Sequence, residues 1–176
     1  MIRAFLALPL PESTRARLAA LQFILPMRPV PPEDLHITLV FLGEQSEAVL
    51  SDLHDLLEGL RAPRLSLALQ GLDVFGGDKM RHVHARIHPD AGLSRLQSRL
   101  ELLARQVAIT VPARKFIPHV TLGRPDAPPD PRLAPLIAAT QVDPAPFGCD
   151  AVVMYRSTLL RRGGSAYDEL ARYPLL

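Results

Sequence analysis

Apolar residues recur along this chain at two spacings, and the changes between them mark out its elements. Ile2 to Leu8 is an apolar run closed by Pro9 and Pro11, which reads as a buried first strand. Pro11 can open a helix, because the N–H it lacks would be unpaired there anyway. Leu18, Leu21 and Leu25 then follow at helical spacing until Pro26 ends the pattern. Met27 to Pro32 is proline-broken and extended, and Leu35 to Leu42 reads as a strand. Ser46, followed by Val49, Leu50, Leu53, Leu56, Leu57 and Leu60, gives a second amphipathic helix. Leu65, Leu67 and Leu69 alternate with Ser66, Ala68 and Gln70 as a strand does, and a turn at Gly76-Gly77-Asp78 leads to another strand at Met80 to Ile87. Asp90 precedes a third helix through Leu93, Leu96, Leu100, Leu103 and Val107, and a strand within Lys115 to Arg124 comes next. Pro125 to Pro131 is a loop and Leu133 to Ala139 a short helix. Ala151 to Leu160 and Tyr167 to Tyr173 form a final hairpin, turning at Arg161 to Gly164.

Two of these strands share a sequence. His36-Ile37-Thr38-Leu39 returns as His119-Val120-Thr121-Leu122, about half the chain later. A strand alternates its faces, so each His and Thr project to one side while the β-branched residue and Leu project to the apolar side. Each copy sits beside a helix and a hairpin. The expected fold is therefore α+β: two pseudo-symmetric lobes, each an antiparallel sheet with helices on its outer face, facing across a central cleft. A single bilobal domain over residues 1–176 is expected.

Composition narrows the class. Of 176 residues, 48% are hydrophobic and 22% charged, a globular balance. A formal net charge of +2 suits a phosphorylated ligand but does not make a nucleic-acid coat. The one cysteine, Cys149, excludes an intrachain disulfide and a thiolate zinc cluster. The apolar start is too short for a secretory core, and no run approaches the ~20 apolar residues of a membrane span. A cytoplasmic monomer without membrane contact is the expectation.

One histidine on a strand is ordinary. Two at matched positions, each with a threonine on the same face, point to chemistry. Imidazole has an unperturbed pKa near ~6.5, so a pair can hold one neutral and one protonated ring near neutrality. That suits a concerted step on a phosphodiester, with one ring taking a proton from the attacking oxygen and the other protonating the leaving oxygen. Thr38 and Thr121 would donate hydrogen bonds to the phosphate oxygens, with no metal or cofactor required. Arg124 ends the second copy where the first has Phe41. Strand parity puts it opposite His119, and a strand ending there would let its guanidinium swing to the phosphate. His82-Val83-His84 places two rings on one face, as a metal site would, but Arg86 is next on that face and no carboxylate stands at a suitable position. A cleft-lining strand face fits those histidines better. Asp34 reads as a turn cap and His54 as a helix-face residue.

With these residues in hand, the chain resembles the 2H phosphoesterase superfamily, and within it the bacterial and archaeal RNA 2′,3′-cyclic phosphodiesterases, also called 2′-5′ RNA ligases. The resemblance runs from R-A-F-L-A-L-P-L-P through P-P-E-D-L-H-I-T-L-V-F-L-G and F-I-P-H-V-T-L-G-R to the terminal hairpin Y-R-S-T-L-L-R-R-G-G-S-A-Y-D-E-L-A-R-Y-P-L. It implies hydrolysis of a terminal 2′,3′-cyclic phosphate on RNA to a 2′-phosphate, and in reverse a 2′-5′ ligation. It implies His36 as proton donor, His119 as proton acceptor, and Thr38, Thr121 and Arg124 as phosphate ligands. Phe5, His84 and Tyr155 are the positions expected to touch the nucleotide. The chain departs from the family pattern with Val40 for arginine, His84 for tryptophan and Arg156 for an acidic residue. Two other readings use the same residues: a phosphodiesterase for small cyclic nucleotides of the ADP-ribose 1″,2″-cyclic phosphate type, and a non-catalytic binder of nucleotides or RNA ends.

Overall fold

The computed structural model describes residues 1–161 and 164–176; Arg162 and Gly163, inside the turn expected at Arg161 to Gly164, lie outside the described residues, as does the side chain of Asp78. In chain order the elements are β1 (Ile2–Pro9), α1 (Glu12–Ile24), β2 (Arg28–Pro29), β3 (His36–Gln45), α2 (Glu47–Glu58), β4 (Leu65–Leu67) and β5 (Leu69–Phe75). Then come β6 (His82–Ile87), α3 (Ala91–Gln106), β7 (His119–Arg124), α4 (Leu133–Ala139), β8 (Phe147–Cys149), β9 (Ala151–Leu159) and β10 (Ser165–Pro174). Short polar side chains start two of the helices. Ser46 accepts from the Val49 N–H at 3.3 Å and Asp90 from the Leu93 N–H at 2.7 Å, each satisfying an otherwise orphaned donor.

The strand expected across Leu65 to Leu69 is two strands. β5 pairs with β6, whereas β4 leaves the main sheet to pair with β8 as a separate ribbon. The break falls at Ala68, whose carbonyl accepts from His88 N–H at 2.9 Å. The three residues of β8 follow a proline-rich stretch and carry no periodic signal of their own.

The main sheet runs β10-β9-β1-β3-β7-β6-β5, and its two halves are the two lobes. They join at one residue pair, Ile37 opposite Val120. Beyond that point β3 parts from β7, whose edge is taken instead by β2, with Arg28 opposite Arg124 and Pro29 opposite Gly123. α1 lies behind β7, α2 and α3 behind β10 and β3, and α4 behind β5. Ile37, Leu39, Val120 and Leu122 send their side chains into that helical layer, among Leu18, Leu53, Leu57, Leu93 and Leu100. The opposite face of the sheet is left for His36, Thr38, His119 and Thr121.

β2 can sit so close only because position 123 has no side chain. A Cβ on Gly123 would come within 2.5 Å of the Arg28 carbonyl oxygen and 2.7 Å of the Met27 sulfur. The glycine after the second His-x-Thr-Leu therefore lets the Met27–Val30 segment pack in as one wall of the cleft.

Candidate active site

The register at Ile37–Val120 creates a local twofold relation between the motif strands. Continued one residue each way, it sets His36 across from Thr121 and Thr38 across from His119. All four line one cleft of about 840 Å³, together with Phe5, Arg28, Asp34, Phe41, His82, Arg124 and Tyr167. That volume is in the upper part of the ~300–1,000 Å³ range of small-ligand sites.

Both imidazoles are held by the same device. The Nδ1–H of His36 donates to the Asp34 carbonyl at 2.6 Å, and the Nδ1–H of His119 donates to the Ile117 carbonyl at 2.7 Å. A carbonyl can only accept, so each bond places the proton on Nδ1 and leaves Nε2 as the working atom. Asp34 thus acts through its backbone, from a one-turn 3-10 helix at Pro32–Asp34, rather than as a side-chain cap. The two rings differ at Nε2: that of His36 meets the Thr38 hydroxyl at 3.1 Å, and among the described residues that of His119 has no protein partner.

Each ring also leans on an aromatic wall. Phe5 lies 5.0 Å from His36 and Tyr167 meets it edge-on at 5.3 Å, while Phe75 and His84 meet His119 edge-on at 4.8 and 5.1 Å. Burial lowers the pKa of both cleft-facing histidines, because the charged form loses water. The carbonyl hydrogen bonds pull the other way, and His119 pushes His36 down further.

Arg124 reaches the cleft by a route that alternation alone does not show. Thr121 pairs with His84 and Gly123 with Val83, so Leu122 is an extra residue, a β-bulge. The bulge resets the alternation and turns Arg124 to the face of His119. The same happens in the first lobe. Thr38 pairs with Ala7 and Val40 with Leu6, so Leu39 is the extra residue and Phe41 turns back to the cleft. Leu39 and Leu122 are the two leucines of the repeated motif. Each bulged carbonyl is met by a buried glutamine from the helical layer. Gln22 of α1 donates to Leu122 at 2.8 Å and also to Val30 at 2.7 Å, and Gln97 of α3 donates to Leu39 at 3.4 Å. Nothing in the spacing of Gln22 or Gln97 marks them, since both lie on helices read as apolar periodicity.

Of the three expected nucleotide contacts, Phe5 lines the cleft and the other two do not. His84 is 2% exposed, with its ring stacked on Phe75 at 4.0 Å, so neither face is open to a base. Its pKa falls to about 4, first through burial and then through His119, so it is a neutral wall. Tyr155 stacks on Phe5 at 5.3 Å and lies 6.0 Å from His36, so it packs against both rings without lining the cleft. Tyr167 on β10 takes the cleft-facing place instead. His82 does line the cleft, its pKa lowered by burial and by Arg124, His119 and Arg81. Among the described residues, His82 and His84 gather no third metal-ligand side chain. The grouping that exists, His54, Asp55 and Glu58, stands on α2 away from the cleft, where His54 Nδ1 and the Tyr173 hydroxyl are hydrogen-bonded at 3.0 Å.

Known proteins resemble this chain in sequence and fold. The profile of the 2′-5′ RNA ligase superfamily matches residues 10–159. A relative from Thermus thermophilus named RNA 2′,3′-cyclic phosphodiesterase is 33% identical over 99% of this chain and 90% of its own length. A crystal structure of a Thermus thermophilus protein superposes with a TM-score of 0.84 at 29% identity, covering 98% of this chain and 97% of that one. Escherichia coli LigT complexed with 3′-AMP gives 0.80 at 27% identity, over 99% and 98% of the two chains.

Proposed function

Because the chain belongs to the 2′-5′ RNA ligase superfamily, we propose that it opens terminal 2′,3′-cyclic phosphates on RNA, using His36 and His119 as an acid–base pair. The observation that carries this is the matched anchoring of the two imidazoles, each with Nδ1–H bound to a carbonyl and Nε2 turned into one cleft.

In hydrolysis, His119 Nε2 takes a proton from water as its oxygen bonds to phosphorus. The P–O3′ bond breaks and His36 Nε2 protonates O3′, leaving a 2′-phosphate and a 3′-hydroxyl. His119 loses its proton to solvent and His36 regains one. The open Nε2 of His119 suits the base, which needs water beside it. Thr38, Thr121 and Arg124 hold the equatorial oxygens, whose negative charge grows as water attacks. Burial favours neutral rings in the free protein, and the incoming anion favours the protonated form of His36. When a 5′-hydroxyl replaces water, it gives its proton to His119, its oxygen bonds to phosphorus and O3′ leaves protonated by His36 as before, which gives a 2′-5′ linkage.

The residues named need no metal for these steps, so turnover in excess chelator is expected. Burial pushes the Cys149 thiol up to about 12, which keeps it protonated and out of this chemistry. Among the described residues no helix is long and apolar enough to cross a membrane. The deciding experiment is mass analysis of the product from a 2′,3′-cyclic oligoribonucleotide, with phosphorus NMR to tell the two isomeric monophosphates apart. The expected product has gained one water and carries its phosphate on O2′; a 3′-phosphate would refute the assignment of the leaving oxygen.

A further inference from the structure

The cleft extends past the histidines. It runs by Phe41 and Leu160 to Arg3, Glu44, Ser157 and Ser165, at the far end of the first lobe. Phe41 is 65% exposed and Leu160 50% exposed, an apolar surface in the cleft wall and a platform on which a base can stack. Arg3 lies two residues before Phe5 and so on the same strand face, with Glu44 opposite it on β3. Among the described residues Arg3 forms no ion pair, and its charge is felt at the Tyr167 hydroxyl together with that of Arg124. An RNA 2′,3′-cyclic end is a 3′ end. The rest of the strand therefore leaves from the 5′ oxygen of the terminal ribose through a phosphodiester, which a mononucleoside cyclic phosphate lacks.

We propose that Arg3 binds the phosphodiester preceding the terminal nucleotide while Phe41 stacks on the terminal base, so that the protein selects RNA ends over mononucleoside cyclic phosphates. This rests on the hydrolase reading above. The test compares a mononucleoside 2′,3′-cyclic phosphate with a short oligoribonucleotide ending in the same nucleotide, for the native protein and Arg3→Gln. A charge-assisted phosphate contact corresponds to a native preference for the oligonucleotide of about 10-fold or more in kcat/KM. Arg3→Gln should cut that ratio to about threefold or less, mainly through KM, and flatten its dependence on salt. A native ratio near one, or a ratio that Arg3→Gln leaves alone, overturns this proposal only. Failure to open either substrate overturns the hydrolase reading, and this proposal with it.

An independent observation concerns Gln22. It is 6% exposed, and its two N–H groups bridge the Val30 and Leu122 carbonyls at 2.7 and 2.8 Å. It thereby ties α1 to β7 at the bulged residue two positions before Arg124. We infer that Gln22 is a positioning residue for Arg124, acting through that bulge. The test is a double-mutant cycle with Gln22→Met and Arg124→Ala. Gln22→Met alone should lower kcat/KM by about 10-fold or more, and less than about twofold in the Arg124→Ala background, since the group it positions is then gone. Equal losses in both backgrounds would make Gln22 merely structural and overturn the inference. If Gln22→Met does not fold, Gln22→His, which keeps one N–H donor, enters the same cycle.

Discussion

His36→Ala and His119→Ala are each expected to lower kcat/KM on a 2′,3′-cyclic RNA end by roughly 10²–10⁴-fold, the range for losing a positioned general acid or base. The double variant should be little worse than the worse single, because the two rings serve one proton circuit. Folding should survive. Both rings lie on the cleft face; His36→Ala loses bonds to the Asp34 carbonyl and the Thr38 hydroxyl and His119→Ala one to the Ile117 carbonyl, places that water entering the cleft is expected to take. Melting temperatures within a few degrees of the native protein, alongside the lost turnover, would separate chemistry from collapse. The same pair governs pH dependence. Burial lowers both free-protein pKa values, so the bell in kcat/KM should be displaced to the acidic side of free imidazole. Bound phosphate stabilises protonated rings, so the kcat profile, which reports the complex, should lie at higher pH than the kcat/KM profile. Coincident profiles, or an alanine variant that keeps most of its activity, would remove the two-histidine mechanism.

The sequence and the structure agree where periodicity carries the information. Leucine spacing located α1, α2 and α3 because each buries one stripe against the sheet, and the capping roles of Ser46 and Asp90 follow from residue type. The shared cleft was legible because a period of two places His and Thr on one face and Ile37, Leu39, Val120 and Leu122 on the other. What was hidden is what breaks a period. A bulge inserts one residue and reverses parity, so Arg124 reads as pointing away from His119 until the pairing of Leu122 is seen. The β4–β5 break at Ala68 is hidden for the same kind of reason, since alternation continues through it while the partner strand changes. The glutamine clamps depend on tertiary contact between a helix and a distant bulge. Strand parity gives the face of His84, beside Thr121, but not what covers that face, here Phe75 and His119, which close the position the resemblance offers to a nucleotide.

Arg124→Ala is expected to lower kcat/KM by ~10²–10³-fold, the cost of removing one preorganised donor from a developing oxyanion. The structural case rests on the difference between the lobes. The bulges at Leu39 and Leu122 turn equivalent positions toward the cleft, and one carries Phe41 while the other carries Arg124. The fold's pseudo-symmetry therefore presents an aromatic surface on one side and a guanidinium on the other, which orients a nucleotide with its base toward the first lobe and its phosphate toward the second. Arg124→Lys should recover only part of the loss, because an ammonium supplies charge without the planar fork that matches two phosphate oxygens. A second readout needs no substrate. Arg124 lowers the pKa of His82 through its charge, so the His82 imidazole, followed by NMR, should titrate at higher pH in Arg124→Ala and stay near its native position in Arg124→Lys. If His82 shifts in Arg124→Ala while turnover does not fall, the guanidinium reaches the cleft but not the phosphate, and the orientation argued from the two bulges fails.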